Sequence, residues 1–140
     1  MKTRFSPIVK LKHSKMQKSE MQVQEALLRL QKAKEELQRS LEDLNELQEP
    51  TSGSMHDFLV VRTLVDAQMR LIEKNRKWVA YEEGQLKALQ EQLKADMIEY
   101  EKFKYLEAQE IQKIKKEQLV REMKQLDEVA IMRYKQKEVI

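Results

Sequence analysis

Only one stretch of this 140-residue chain is built to turn: Glu49-Pro50-Thr51-Ser52-Gly53-Ser54. Proline drives the residue before it out of the helical region, and Gly53 supplies the loose backbone that a reversal needs. The chain holds 2 Gly and 2 Pro in all, whereas an average domain carries about 7% Gly and about 5% Pro. A sheet, a barrel or a doubly wound α/β fold needs many more reversals, and a glycine-rich phosphate loop has nothing to be made from. The hydrophobic fraction of 41% is too high and too regularly spaced for a disordered chain. Glu, Lys, Gln, Leu and Met dominate, the composition of long helices and coiled coils.

Local signals place the ends of those helices. Ser54-Met-His-Asp57 fits a capping box, and Ser6 as N-cap with Pro7 at the first helical position is a start signal. Gly84 is isolated in a helical pattern and costs about 1 kcal/mol relative to alanine without ending the helix. The expected organisation is one domain over 1–140: helix 6–48, turn 49–54, helix 55–138. Apolar periodicity agrees. In the first arm Val9, His13, Met16, Glu20, Val23, Leu27, Leu30, Lys34, Leu37, Leu41, Leu44 and Gln48 recur at alternating steps of three and four. In the second, Phe58, Val61, Val65, Gln68, Ile72, Asn75, Val79, Glu82, Leu86, Leu89, Leu93, Asp96, Tyr100 and Phe103 do the same. This is a heptad seam with polar interruptions. Beyond Phe103 the phase fails, and it resumes shifted at Leu119, Met123, Leu126, Ala130 and Arg133.

A short connection makes neighbouring helices antiparallel. The fold class is therefore all-α: a long antiparallel two-helix coiled coil, an αα-hairpin with unequal arms and a C-terminal helical overhang. At 1.5 Å per residue the arms span ~65 Å and ~125 Å. Folding about the break sets residue i near 103 − i, so Phe5 faces the neighbourhood of Ile98 and the helix from about Tyr100 onward is unpartnered. A lone amphipathic helix with an exposed apolar stripe bends back, self-associates or docks into another protein.

Charge is polarised along the sequence. Residues 1–19 contain Lys2, Arg4, Lys10, Lys12, Lys15 and Lys18 and no acid, while residues 35–57 contain seven acids against Arg39 alone. A second basic cluster, Lys113, Lys115, Lys116, Arg121 and Lys124, stands against Glu117 and Glu122. Two readings stand: a solvated coiled-coil surface, or two ends that meet different partners. The formal net charge is only +3, so total charge says little.

No residues are arranged for catalysis, and no cofactor or metal is expected. His13 and His56 are the only histidines, and neither stands in a metal-ligand or general-base spacing. His13, at a seam position, reads as a register device or a partially exposed interface residue. Paired acids such as Glu35-Glu36 point to different sides of a helix. Tyr100-Glu-Lys-Phe-Lys-Tyr105 mixes aromatic and basic character, but its basic residues are interleaved with acids, unlike the one-sided stripe of a nucleic-acid binder. The turn Phe5, Ile8, Val9 and Leu11 among lysines could lie on a membrane surface; the aromatics fit a seam or a partner interface at least as well. The eight methionines suit adaptable interfaces or ordinary packing. No apolar run approaches the ~20 residues of a membrane span. The N-terminus lacks the apolar stretch of a secretory signal. Zero cysteines suits a reducing compartment, so the cytoplasm is the expected location.

Four features together resemble the FliJ family of the bacterial flagellar type III export apparatus. The opening Arg4-Phe5-Ser6-Pro7-Ile8-Val9-Lys10-Leu11-Lys12 looks like that family's basic start with a phenylalanine and an aliphatic pair. One helix of about 45 residues then precedes a Pro/Gly/Ser break and a longer helix. Tyr100-Glu101-Lys102-Phe103-Lys104 is similar to its glutamate-lysine-hydrophobic-lysine element, and Lys124-Gln125-Leu126-Asp127-Glu128-Val129-Ala130 to its ending. The resemblance implies a non-enzymatic stalk, similar to the shaft of rotary ATPases. It would dock in the pore of the hexameric export ATPase and reach the cytoplasmic domain of the membrane export gate, coupling ATP hydrolysis to export. Escort of export chaperones is a further implied role, and the place is the cytoplasmic face of the inner membrane, peripherally. By the same resemblance Phe5, Ile8, Val9, Leu126, Asp127 and Glu128 fall at the ATPase end, and Phe58, Leu59 and Arg62 at the export-gate end. The alternatives are the equivalent stalk protein of an injectisome, a generic homo-oligomeric coiled-coil spacer, or a nucleic-acid or anionic-membrane binder working through the basic N-terminus.

Overall fold

The computed structural model describes residues 2–47 and 53–139, which form two long helices, α1 (Ser6–Glu46) and α2 (Met55–Val139). Glu49-Pro50-Thr51-Ser52 and the seam position Gln48 lie outside the described residues. The chain divides into two compact units, Met16–Asp96 and Met1–Lys15 with Met97–Ile140.

Both helix starts are capped by their own sequence. At α2 the Ser54 N–H donates to the Asp57 carboxylate at 3.2 Å, and the Asp57 N–H donates to the Ser54 hydroxyl at 3.3 Å. This is the reciprocal capping box that Ser54-Met-His-Asp57 predicts. Gly53 makes room for it: at φ +154° a Cβ there would stand 2.9 Å from the Asp57 carboxylate. At α1 the start lies one residue from the expected place. The Phe5 carbonyl accepts the first helical bond, from the Val9 N–H at 2.9 Å, so Ser6 is the first helical residue and Pro7 the second. The Ser6 hydroxyl instead accepts the Thr3 N–H at 2.8 Å, and the Thr3 hydroxyl accepts the Phe5 N–H at 3.1 Å. Gly84 is exposed and α2 runs through it, as expected, because a helical backbone needs no side chain to continue.

Within Met16–Asp96 the two helices pack antiparallel as a hairpin. Ser19 bonds to Asp96, Arg29 to Glu82 at 3.3 Å, and Ser40 accepts from Asn75 at 3.2 Å. Facing residues therefore lie near i and 115 − i, not 103 − i. The reason is that the first turns of α2 overshoot α1. Met55, Phe58, Leu59 and Val60 are exposed, and burial begins at Val61 and Val65.

The seam alternates two kinds of layer. One series on α1 is Val23, Leu30, Leu37 and Leu44, and at one-heptad intervals the facing series on α2 is Ile72, Val79, Leu86 and Leu93. Leu30 and Ile72 keep only 8% and 5% of their surface. The other series on α1 is Ser19, Ala26, Ala33 and Ser40, all buried, whereas Glu20, Leu27 and Lys34, expected in the seam, are exposed. The difference arises because serine is polar and alanine only weakly apolar, so neither marks a seam against the larger side chains at Leu27 and Lys34. They are small enough to leave space for the larger polar residues that α2 carries at the same register: Asn75, Glu82 and Asp96, each no more than 8% exposed. No buried side-chain polar atom among the described residues lacks a hydrogen-bond partner, as packing of polar groups requires.

Candidate functional site

Among the exposed apolar side chains of the described residues, two groups lie where α1 does not run alongside α2, one in each unit. In Met16–Asp96 it is the start of α2. Phe58 and Leu59 retain 43% and 55% of their surface, and Arg62 is exposed one turn later. Phe58 was expected in the seam, but α1 ends too early along α2 to reach it. A shallow groove lined by His56, Leu59, Val60, Thr63 and Leu64 runs beside it. The apolar surface continues along one flank through Val60, Leu64, Ala67 and Leu71, all exposed. Steps of four, three and four put these residues on one face of α2, clear of the seam at Val61, Val65, Gln68 and Ile72. Sequence reading did not single this stripe out, because the stronger seam pattern overlaps it. The signal is there as a second apolar series at helical spacing.

In the unit of Met1–Lys15 with Met97–Ile140, α1 and α2 are again antiparallel. Lys12 pairs with Glu99 at 3.6 Å and stands 5.6 Å from the centre of the Phe103 ring. The His13 and Tyr100 rings meet at 5.1 Å between centroids, so His13 does occupy a packed seam position. Arg4 reaches Glu110 at 3.8 Å, which places Phe5 near Glu110 and not near Ile98. Hence Tyr100 and Phe103 are partnered. The seam does not lose phase at Phe103 but continues through Glu107, Glu110 and Ile114. The two glutamates at seam positions hide that continuation from a reading of apolar residues alone.

From residue 115 to 137 every side chain is exposed. Leu119, Met123 and Leu126 keep 57%, 58% and 69% of their surface. This is the overhang, about fifteen residues later than expected, a delay that follows from the longer register. It carries Leu126, Asp127 and Glu128. Phe5 and Val9 are half-buried and Ile8 is exposed. The two groups are not brought together, since Leu126 lies ~24 Å of helix beyond Glu110.

Among the described residues no group of three or more His, Cys, Asp or Glu could hold a metal ion. No described helix is long and apolar enough to cross a membrane. What both surfaces can do is bury apolar area against another macromolecule.

The comparison with known families fits such a role. A family model described as flagellar FliJ protein matches residues 1–138. The chain belongs to the FliJ family. It is thereby a protein of the flagellar export apparatus. No curated protein and no solved structure matches it. Family membership covers both exposed surfaces of this FliJ-family chain, the start of α2 and the overhang, within one matched span.

Proposed function

We propose that this FliJ-family protein is the non-enzymatic stalk of the flagellar export apparatus, cytoplasmic and peripheral at the inner membrane. In this reading it docks the end of α2 in the ring of the export ATPase and meets the cytoplasmic domain of the export gate with the start of α2. Export chaperones are further partners, and nucleic acid is not one. The observation that supports it best is the segment 115–137: an ordered helix with a complete apolar series and no described residue covering it. A helix of that length is marginal in water unless its apolar face is buried, so a socket accounts for its retention. The flank of Phe58, Leu59, Val60, Leu64 and Leu71 supports a second, separate contact for the gate, with Arg62 at its edge.

The test titrates the full chain into the export ATPase of the same organism and follows ring assembly and ATP hydrolysis. Stimulation that saturates near one chain per ring is expected. Absence of any effect, together with a discrete self-associated species by light scattering, would replace the stalk with a homo-oligomeric spacer. Truncation after Ile114 is expected to abolish stimulation while the remaining chain stays helical by circular dichroism.

A further inference from the structure

The overhang is not a leftover length of the same seam. Continuing the α2 seam beyond Ile114 by the same alternating steps gives Glu117, Arg121, Lys124, Glu128, Ile131 and Lys135. Five of these six are charged, where the preceding positions face α1. The apolar residues stand elsewhere. Leu119, Met123, Leu126 and Ala130 repeat at steps of four, three and four, and their heptad positions fall on the outer side of α2, away from the face that α1 covers. The next two positions of this outer stripe are Lys116 before it and Arg133 after it. All six residues are exposed.

We infer that the overhang docks through its outer face, and that its occupant is an apolar surface with acidic groups at both ends, ~25 Å apart along the helix axis. The inference rests on the stalk reading above and names the face and the chemistry of that contact. Two features of the stripe set the partner's character. Its apolar centre, Leu119, Met123, Leu126 and Ala130 with Val120 and Val129 at its sides, is bounded by Glu122 and Asp127, which suits a helix or a narrow groove and not a bilayer, for which a broad apolar sector is needed. Its ends are cationic and exposed, so a partner with carboxylates opposite Lys116 and Arg133 is steered into register, while a second copy of this same stripe meets it cation to cation in either direction. The charged seam face serves the complementary purpose. It keeps the overhang soluble and, with Ile131 its one apolar position, gives a helix packed like α1 little to bury against.

The test uses the full chain and the export ATPase, with the two faces altered separately. Met123→Asp with Leu126→Asp is expected to weaken binding at least about tenfold, since each places an unpaired charge in an apolar contact. Arg121→Ser with Lys124→Ser, on the seam face, is expected to leave binding within about threefold, a loss of well under 1 kcal/mol. Lys116→Glu with Arg133→Glu is expected to weaken binding most at low salt. A photo-crosslinker at position 126 should capture the ATPase, and one at position 121 should not. Greater loss from the seam-face pair, or crosslinking from 121 and not 126, overturns the outer-face assignment while leaving the stalk role standing. If the unaltered chain shows no binding at all, the stalk role fails and the inference goes with it.

Discussion

Residues 16–96 and residues 115–137 are written in the same alphabet and do different things. In the first, apolar positions are opposed by a partner helix of the same chain, and the intervening positions alternate small on α1 with large and polar on α2. In the second, the apolar series is equally regular, but no described residue opposes it and the seam positions are charged. Regular spacing of leucines therefore says that a helix wants company, and says nothing of whether the company is its own chain. What separates the two cases is the residue type at the seam positions: Ser19, Ala26, Ala33 and Ser40 accommodate a close neighbour, while Arg121, Lys124 and Glu128 repel one.

The sharpest way to break this contrast is to put the same charge into both regions. Leu30→Asp places a carboxylate where only 8% of the residue is exposed, and a loss of roughly 4 kcal/mol or more is expected, enough to separate the arms of a marginally stable hairpin. Leu126→Asp, 69% exposed, is expected to leave the melting curve unchanged. Thermal melts by circular dichroism decide it. Equal destabilisation by the two would mean that the overhang is covered in solution.

The next effect tests which residues hold the seam. Ala33→Leu overfills a layer in which Ala33 has no exposed surface, with an expected cost of about 1–3 kcal/mol. Leu27→Ala removes a larger side chain from a position that is 47% exposed, and a change of about 0.5 kcal/mol is expected. A pattern read from hydrophobicity alone anticipates the reverse order, so urea midpoints for the two variants discriminate directly.

That reversal also marks where the sequence stops being legible. The helices, their caps at Ser54 and Asp57, and the α2 seam from Val61 to Phe103 follow from spacing and turn chemistry, because these depend on neighbours within a few residues. The register does not. It depends on how far α2 runs before it meets α1, which no local pattern encodes, and a shift from 103 − i to about 115 − i moves the start of the overhang from Tyr100 to residue 115. Small and polar seam residues were invisible for a related reason: Ala33 and Glu107 earn their places by fitting a partner across the interface. At the candidate sites, Phe58 and Leu126 are exposed residues that the family resemblance pointed to. The shifted series at Leu119, Met123, Leu126 and Ala130 is legible in the sequence, but the stripe through Val60, Leu64 and Leu71 and the point of the shift, after Ile114 and not after Phe103, needed the structure, since both are defined by which face α1 leaves bare.

A smaller effect probes the polar layers. The Ser40 hydroxyl donates to the Leu37 carbonyl at 2.7 Å and accepts from Asn75, whose amide also reaches the Glu36 carbonyl at 3.3 Å. Because Asn75 keeps a second acceptor, Ser40→Ala is expected to cost only about 1 kcal/mol. Asn75→Leu removes both bonds that cross between the helices here, while the Ser40 hydroxyl keeps the Leu37 carbonyl as its acceptor, so its effect on stability is expected to be small. Its effect on uniqueness is expected to be larger, since a polar residue in a seam specifies register. Cysteine pairs introduced at facing positions, such as Leu44 with Ile72, would report slippage as lost disulfide yield in the Asn75→Leu background.

The smallest effect has the opposite sign. Gly84 lies within the covered hairpin, and a Cβ added there meets nothing within 4 Å. Gly84→Ala is therefore expected to stabilise by about 0.5–1 kcal/mol, because it removes backbone freedom from the unfolded chain without strain in the folded one. The equivalent gain in intrinsic helix propensity placed in the overhang, for instance Val120→Ala, is expected to leave the melt of the hairpin unmoved and to raise only the local helicity beyond residue 114, read by amide exchange. If Gly84→Ala instead destabilises, the glycine is tolerated for a reason outside the hairpin, and the surface it occupies becomes a contact in its own right. Seen this way the substitution asks whether the covered region is covered on one side only, and the exposed Tyr81 one turn earlier on α2 would be the first residue to test beside it.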